Sequence, residues 1–139
     1  MSILDRYLEY ADAFEESFVD DDWSRLEPYF SPDAIYDGEP AARGREALLA
    51  KLKTAVDNFD RRMDSRTLDF AKPAAKGDTV TMKWSVTYTK KGLPNLVISG
   101  LETARFEGDR IALLHDDLDP EAQKALGEWM TRHGPALQG

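Results

Sequence analysis

The chain has no cysteine, which excludes disulfides, thiolate metal sites and cysteine nucleophiles and gives no sign of an oxidising compartment. Histidine is scarce too. Only His115 and His133 are present, and neither has a second histidine or an inward carboxylate at metal-ligand spacing, so no metal and no cofactor are expected. Basic residues are outnumbered, 18 Lys and Arg against 26 Asp and Glu, for a net charge of −8. No basic stripe forms, so neither nucleic acid nor an anionic membrane surface is an expected partner. No apolar run approaches the ~20 residues of a membrane span. Asp5, Arg6 and Glu9 break the apolar pattern at the N-terminus, as a signal-peptide core would not. A soluble cytoplasmic protein is the expectation.

What the chain does have is 139 residues with 42% hydrophobic content. That suits one domain spanning 1–139, burying about 70% of its unfolded surface, enough for a core and one cavity. Leu4, Tyr7, Leu8, Ala11, Phe14 and Phe18 recur at helical spacing and predict a first helix. The triplet Asp20, Asp21 and Asp22 ends it, and capping of a short second helix from Trp23 to Phe30 explains the three acids better than a metal site does. Ser31, Pro32 and Asp33 predict a turn into a short strand, 34–37, broken by Gly38. A third helix follows from Gly44 to Phe59, with Leu48, Leu49, Leu52 and Val56 on its buried stripe.

From Met63 to Leu118 the chain reads as β. Val80, Met82, Trp84, Val86 and Tyr88 alternate with polar neighbours and predict a central strand. Turn residues at 75–78 and 90–92 flank it, as in a curved meander. Pro120 after Asp119 predicts a final helix, with Asp119 as cap and Pro120 at its first position. The stretch GLETARFEGDRIALLHDDLD, 100–119, reads as a hairpin turning at Gly108 and Asp109. Its first strand puts Gly100, Glu102, Ala104 and Phe106 on one face. If that face meets the core, Glu102 points into it, and a buried carboxylate marks a pocket.

This order of helices and strands resembles the nuclear-transport-factor-2-like α+β cone, in which three N-terminal helices pack on a curved, mainly antiparallel sheet around a pocket. The stretches PYFSPDAIYDGEPAARGREAL and GLETARFEGDRIALLHDDLDP resemble segments of SnoaL-like polyketide cyclases, ketosteroid isomerases and limonene epoxide hydrolases. The resemblance implies a small, largely apolar ligand and cofactor-independent acid–base chemistry of isomerase, cyclase, hydrolase or dehydratase type; the same fold also hosts non-catalytic binders and interaction modules. Matched to ketosteroid isomerases, the helix tyrosine falls on Phe14, which is expected to line the pocket, and the proton-moving aspartate falls on Gly38. Only the strand acid survives, as Glu102. Matched to limonene epoxide hydrolases, Tyr36 and Asp116 take the pocket tyrosine and the catalytic aspartate, while Met82 and Trp84 stand where that family has Arg-x-Asp. Arg66 can supply an arginine instead, because Asp64, Arg66, Leu68 and Phe70 share a strand face if the strand begins near Met63.

Two site readings remain open. In one, Glu102, Asp116 and Asp64 surround Arg66 as an acid–base site walled by Tyr36, Trp84 and Tyr88, with crowding that splits the carboxyl pKa values. In the other, Glu102 and Arg66 form a buried ion pair that fixes strand register, and Asp116 is solvated. His115 should face outward. Ile111, Leu113, Val97 and Leu101 would then leave an apolar patch on the outer sheet face, which predicts a homodimer through that face. A monomeric mass by light scattering at micromolar concentration would remove the dimer.

Overall fold

The computed structural model describes residues 2–38 and 40–137. Ser2 caps the first helix, α1 (Ile3–Asp20), its side-chain oxygen accepting from the Asp5 N–H at 3.1 Å. The chain leaves α1 through Asp21, at φ 60°, whose N–H donates to the Ser17 carbonyl. Asp22 then accepts from the Ser24 N–H at 3.2 Å. The acidic triplet therefore caps. The element it caps is a 3₁₀ helix, Trp23–Tyr29, with Pro28 inside it, so two α-helices rather than three precede the main sheet. On α1 the buried positions are Tyr7, Tyr10, Ala13 and Ser17, while Leu8 faces solvent.

Strand β1 runs Phe30–Asp37 and already contains Ser31, Pro32 and Asp33, expected as a turn. Its register against its neighbour slips between Phe30 and Ile35, and a proline is tolerated at such an irregularity. After β2 (Ala42–Arg43), helix α2 (Arg45–Asn58) buries Leu48, Leu49, Leu52 and Val56, and a short 3₁₀ turn, Asp60–Arg62, follows it. The remaining strands are β3 (Ser65–Phe70), β4 (Ala74–Lys76), β5 (Thr79–Thr89), β6 (Leu96–Glu107) and β7 (Arg110–Leu118). They form one curved sheet of order β2-β1-β7-β6-β5-β3, with β4 paired to β5. Every pairing is antiparallel except β1 with β7.

On β5 the alternation holds as expected, with Val80, Met82, Val86 and Tyr88 buried on one face. On β7 it does not. Arg105 pairs with Leu113 and Phe106 with Ile111, leaving Ala112 as an extra residue in a bulge. Ile111 is thereby turned into the core and is completely buried. It does not belong to the outer patch, where Val97, 53% exposed, and the half-buried Leu101 and Leu113 remain. The same bulge puts Leu114 and Asp116 opposite Ala104 and Glu102 on the inner face. The β4–β5 and β6–β7 turns are two residues long, with Gly77 and Gly108 at positive φ.

Helix α3 (Pro120–His133) has Pro120 in its first turn, as expected, but the Asp119 side chain accepts from Ser99 Oγ at 2.7 Å instead of capping the helix. Ala122 and Trp129 join Val86, Tyr88, Leu96 and Ile98 in a second core cluster. Helix α1 and the rest of the inner face form the first. Each helix thus covers part of the concave side of the sheet, and a cavity stays open under α1. Among the described residues, no helix is long and apolar enough to cross a membrane.

Candidate functional site

The cavity measures about 210 Å³, below the ~300 Å³ at which drug-sized ligands are usually held. Tyr7, Tyr10 and Phe14 of α1 form one wall, and Trp84 of β5 faces them. Glu102 and Asp116 also line it. These two carboxyl groups belong to directly paired residues on β6 and β7, and facing side chains at such a pair come within contact distance. The alternation that buries Ala104 and Phe106 delivers Glu102, and the bulge at Ala112 delivers Asp116.

Each acid has its own phenol. Tyr7 donates its hydroxyl proton to Glu102 Oε1 at 2.5 Å, and Tyr36 donates to Asp116 Oδ2 at 3.0 Å. Burial, then the negative charge of Asp116, holds Glu102 well above the usual carboxylate range. Burial also raises Asp116, against the hydrogen bond it accepts from Tyr36. Both residues retain some exposure, because they face the open cavity, yet protein encloses them. Two carboxyl groups on directly paired residues in a low dielectric resist ionising together, which favours one retained proton. Burial and the neighbouring Asp116 charge favour keeping that proton on Glu102. Burial and the adjacent acids push the phenols of Tyr7, Tyr10 and Tyr36 upward, so all three stay protonated.

Trp84 is the remaining polar group at the cavity. Its Nε1 is the one buried side-chain nitrogen or oxygen without a hydrogen-bond partner among the described residues. It lies near enough to Asp116 to favour the anion but does not meet hydrogen-bond geometry with it.

A proton retained in the fold has a consequence for stability. Glu102 is raised above its unfolded value of ~4.3, so its favourable contribution is complete below that pH and is lost as pH climbs toward the folded value. Over that window the loss is up to about 1.4 kcal/mol per pH unit. Glu102→Gln keeps the shape and carries no such proton. Relative to wild type, the variant should therefore gain stability from pH 5 to pH 8 in urea unfolding; parallel pH curves for the two proteins would rule out the retained proton.

Of the other expected site residues, Phe14, Tyr88 and Arg66 also line the cavity, whereas Asp64 does not. Asp64 sits just before β3, half exposed, and accepts from the Lys91 N–H at 2.5 Å. Arg66 pairs with neither Glu102 nor Asp116. Its guanidinium bonds Glu15 of α1 at 2.6 Å and Asp60 at 2.8 Å, and stacks over Phe18. Tyr88 donates to the same Asp60 at 3.0 Å. The expected grouping around Arg66 is therefore divided between two places: an acid pair deep in the cavity, and an arginine saturated by other acids beside α1. Tyr36 stands behind Asp116 as its hydrogen-bond donor and does not wall the cavity. His115 lies on the outer side, its Nδ1 3.1 Å from the Asp37 carbonyl.

The sequence reasoning missed Tyr7. The ketosteroid-isomerase match puts the tyrosine at Phe14, but Phe14 packs on Trp23 with ring centres 5.4 Å apart, and the phenol that reaches the strand acid comes two turns earlier. A signal was available. A tyrosine on the buried stripe of a helix has a hydroxyl that needs a partner, and Glu102 is the acid that alternation places on the inner face of β6.

Comparison with known proteins agrees with this architecture. The structure of Bal32a from a soil-derived mobile gene cassette superposes with a TM-score of 0.68 at 16% identity, covering 92% of this chain and 98% of that one. TerC, co-crystallised with polyporic acid, gives 0.65 at 15% identity over 91% and 98% of the two chains. AclR, a putative hydroxylase from Streptomyces galilaeus, gives 0.64 at 18% identity over 96% and 87%. At such identities the likeness shows the fold alone, which is nuclear-transport-factor-2-like. A search of the curated proteins found no match. The model of the SnoaL-like domain matches residues 9–114, most of the chain including every strand up to the bulge in β7, and the chain belongs to the SnoaL-like domain family.

Proposed function

We propose that this protein binds a small, largely apolar metabolite under α1 and moves protons on it without a cofactor, with Glu102 as general acid and Asp116 as general base. The observation that carries this reading is the pair itself: two carboxyl groups on directly paired residues at the wall of an apolar cavity, both pushed upward by burial. Environments that hold one acid protonated beside an ionised one give an acid and a base at the same pH. With a carbonyl ligand, the Asp116 carboxylate takes a proton from the adjacent carbon. The C–H electrons form a C=C bond, and the Glu102 proton passes to the carbonyl oxygen, giving an enol. Reversal returns both protons. Isomerisation, ring closure and dehydration can all begin with this step. A fold neighbour co-crystallised with polyporic acid supports the idea that such a cone accepts a small molecule.

The test uses D₂O. Small enolisable ketones such as cyclohexanone and acetophenone are incubated with the protein, and loss of the C–H signal beside the carbonyl is followed by NMR. Saturable exchange that Glu102→Gln abolishes is expected. Binding of the ketones with no exchange above buffer would make the protein a non-catalytic binder.

A further inference from the structure

The three tryptophans of the chain differ in one respect. Trp23 Nε1 donates to Asp21 at 2.8 Å and Trp129 Nε1 to the Pro94 carbonyl at 2.9 Å, whereas Trp84 Nε1 is buried near Asp116 but meets hydrogen-bond geometry with no acceptor among the described residues. Buried indole N–H groups normally find partners, and one that lacks a partner calls for an explanation. The surroundings of Trp84 supply one. It is paired with Gly100, two residues from Glu102 on the same face of β6, and its ring lines the cavity beside both acids. Three phenols near it are engaged, Tyr7 by Glu102, Tyr36 by Asp116 and Tyr88 by Asp60, while Tyr10 also lines the cavity without a hydrogen bond to the described residues.

We infer that Trp84 is a ligand-binding hydrogen-bond donor, and that the ligand carries an acceptor oxygen, a carbonyl or ether, placed where the indole N–H and the Glu102 carboxyl converge. The inference deepens the proposed function, since it rests on the same cavity, and it adds Trp84 as a second donor to the ligand oxygen that Glu102 protonates. A saturated hydrocarbon of equal size would fill the cavity and leave the N–H unpaired. The negative charge on Asp116 beside this donor also disfavours a free carboxylate there, which leaves neutral oxygen as the acceptor.

The experiment compares ketones with their methylene isosteres, cyclohexanone with methylenecyclohexane and acetophenone with α-methylstyrene, by ¹H–¹⁵N correlation of the indole N–H signals. Loss of one signal in Trp84→Phe assigns the reporter, and Trp23 and Trp129 serve as internal references. Each ketone is expected to move the Trp84 signal downfield and each isostere not to. The ketones should bind at least ~10-fold more tightly than the isosteres, a preference that Trp84→Phe reduces to the part Glu102 supplies. A Trp84 signal indifferent to every ketone, or a preference undiminished in Trp84→Phe, overturns the inference. This readout needs no turnover. A ketone-dependent shift without D₂O exchange would uphold the donor and sink the acid–base reading, and exchange without the shift would do the reverse.

Discussion

Asp116→Asn is expected to slow ketone proton exchange by about 10²- to 10⁴-fold, the range a positioned general base contributes, while ligand affinity changes little. Asparagine fills the same space and still accepts from Tyr36, so the 3.0 Å contact that orients the side chain at position 116 survives. What is lost is the anion. An amide there cannot take a proton at any working pH, and Glu102 loses the neighbouring charge that, after burial, raises it most. Glu102 should then titrate at lower pH than in wild type, so the residual activity should fall off as pH rises through a lower value. Because the two groups act as a unit, the double variant Glu102→Gln/Asp116→Asn should be little slower than the worse single variant. Exchange rates of wild type and the three variants between pH 5 and pH 9 check this. A tenfold or smaller loss in Asp116→Asn would remove the residue from the chemistry.

Gly100→Ala should destabilise the fold by about 2–3 kcal/mol and lower Tm by roughly 10 °C. A β-carbon at residue 100 would lie 2.6 Å from the Asp117 carbonyl oxygen and 3.0 Å from Trp84 Cζ2. The first contact is with backbone of the paired strand, so β6 and β7 would have to separate at the point where Glu102 and Asp116 face each other two residues away. The second pushes the tryptophan into the cavity, and ligand affinity should fall with stability. Gly127 is the control. It lies inside α3, exposed, and a β-carbon added there would meet nothing within 4 Å, so Gly127→Ala should stabilise by up to about 1 kcal/mol through helix propensity. Calorimetry of both variants distinguishes them; a Gly100→Ala protein as stable as wild type would show that the strands yield easily there.

How far the sequence leads varies with the kind of interaction. Strand β5 is legible because it has strands on both edges and one buried face, which enforces an alternation that Val80 to Tyr88 display openly. Glu102 is legible on β6 for the same reason. The inward face of β7 is only partly so. Ile111, Ala112, Leu113 and Leu114 are apolar at both parities, so the pattern carries no mark of the bulge, and strict alternation puts Ile111 outside when it belongs to the core. Tyr7 reads as one more apolar residue of a helix stripe, since its hydroxyl meets an acid 95 positions along the chain. Arg66 is the hardest. Charge pairing obeys no periodicity, and with 26 acids in the chain nothing local distinguishes Glu15 and Asp60 from Glu102 as its partners. Arg66 bonds Glu15 and Asp60 and neither Glu102 nor Asp116.

The retained proton is the centre of the account, and carboxyl-carbon NMR observes it directly. Side-chain ¹³C shifts of Glu102 and Asp116 followed from pH 3 to pH 10, in wild type and in Asp116→Asn, would report how many protons the pair holds. In wild type one carboxyl, assigned to Glu102, is expected to stay protonated through neutral pH while Asp116 is ionised, and Asp116→Asn is expected to lower the Glu102 midpoint. Two independent midpoints in the ordinary carboxylate range near ~4, with Glu102 unmoved by Asp116→Asn, would contradict it.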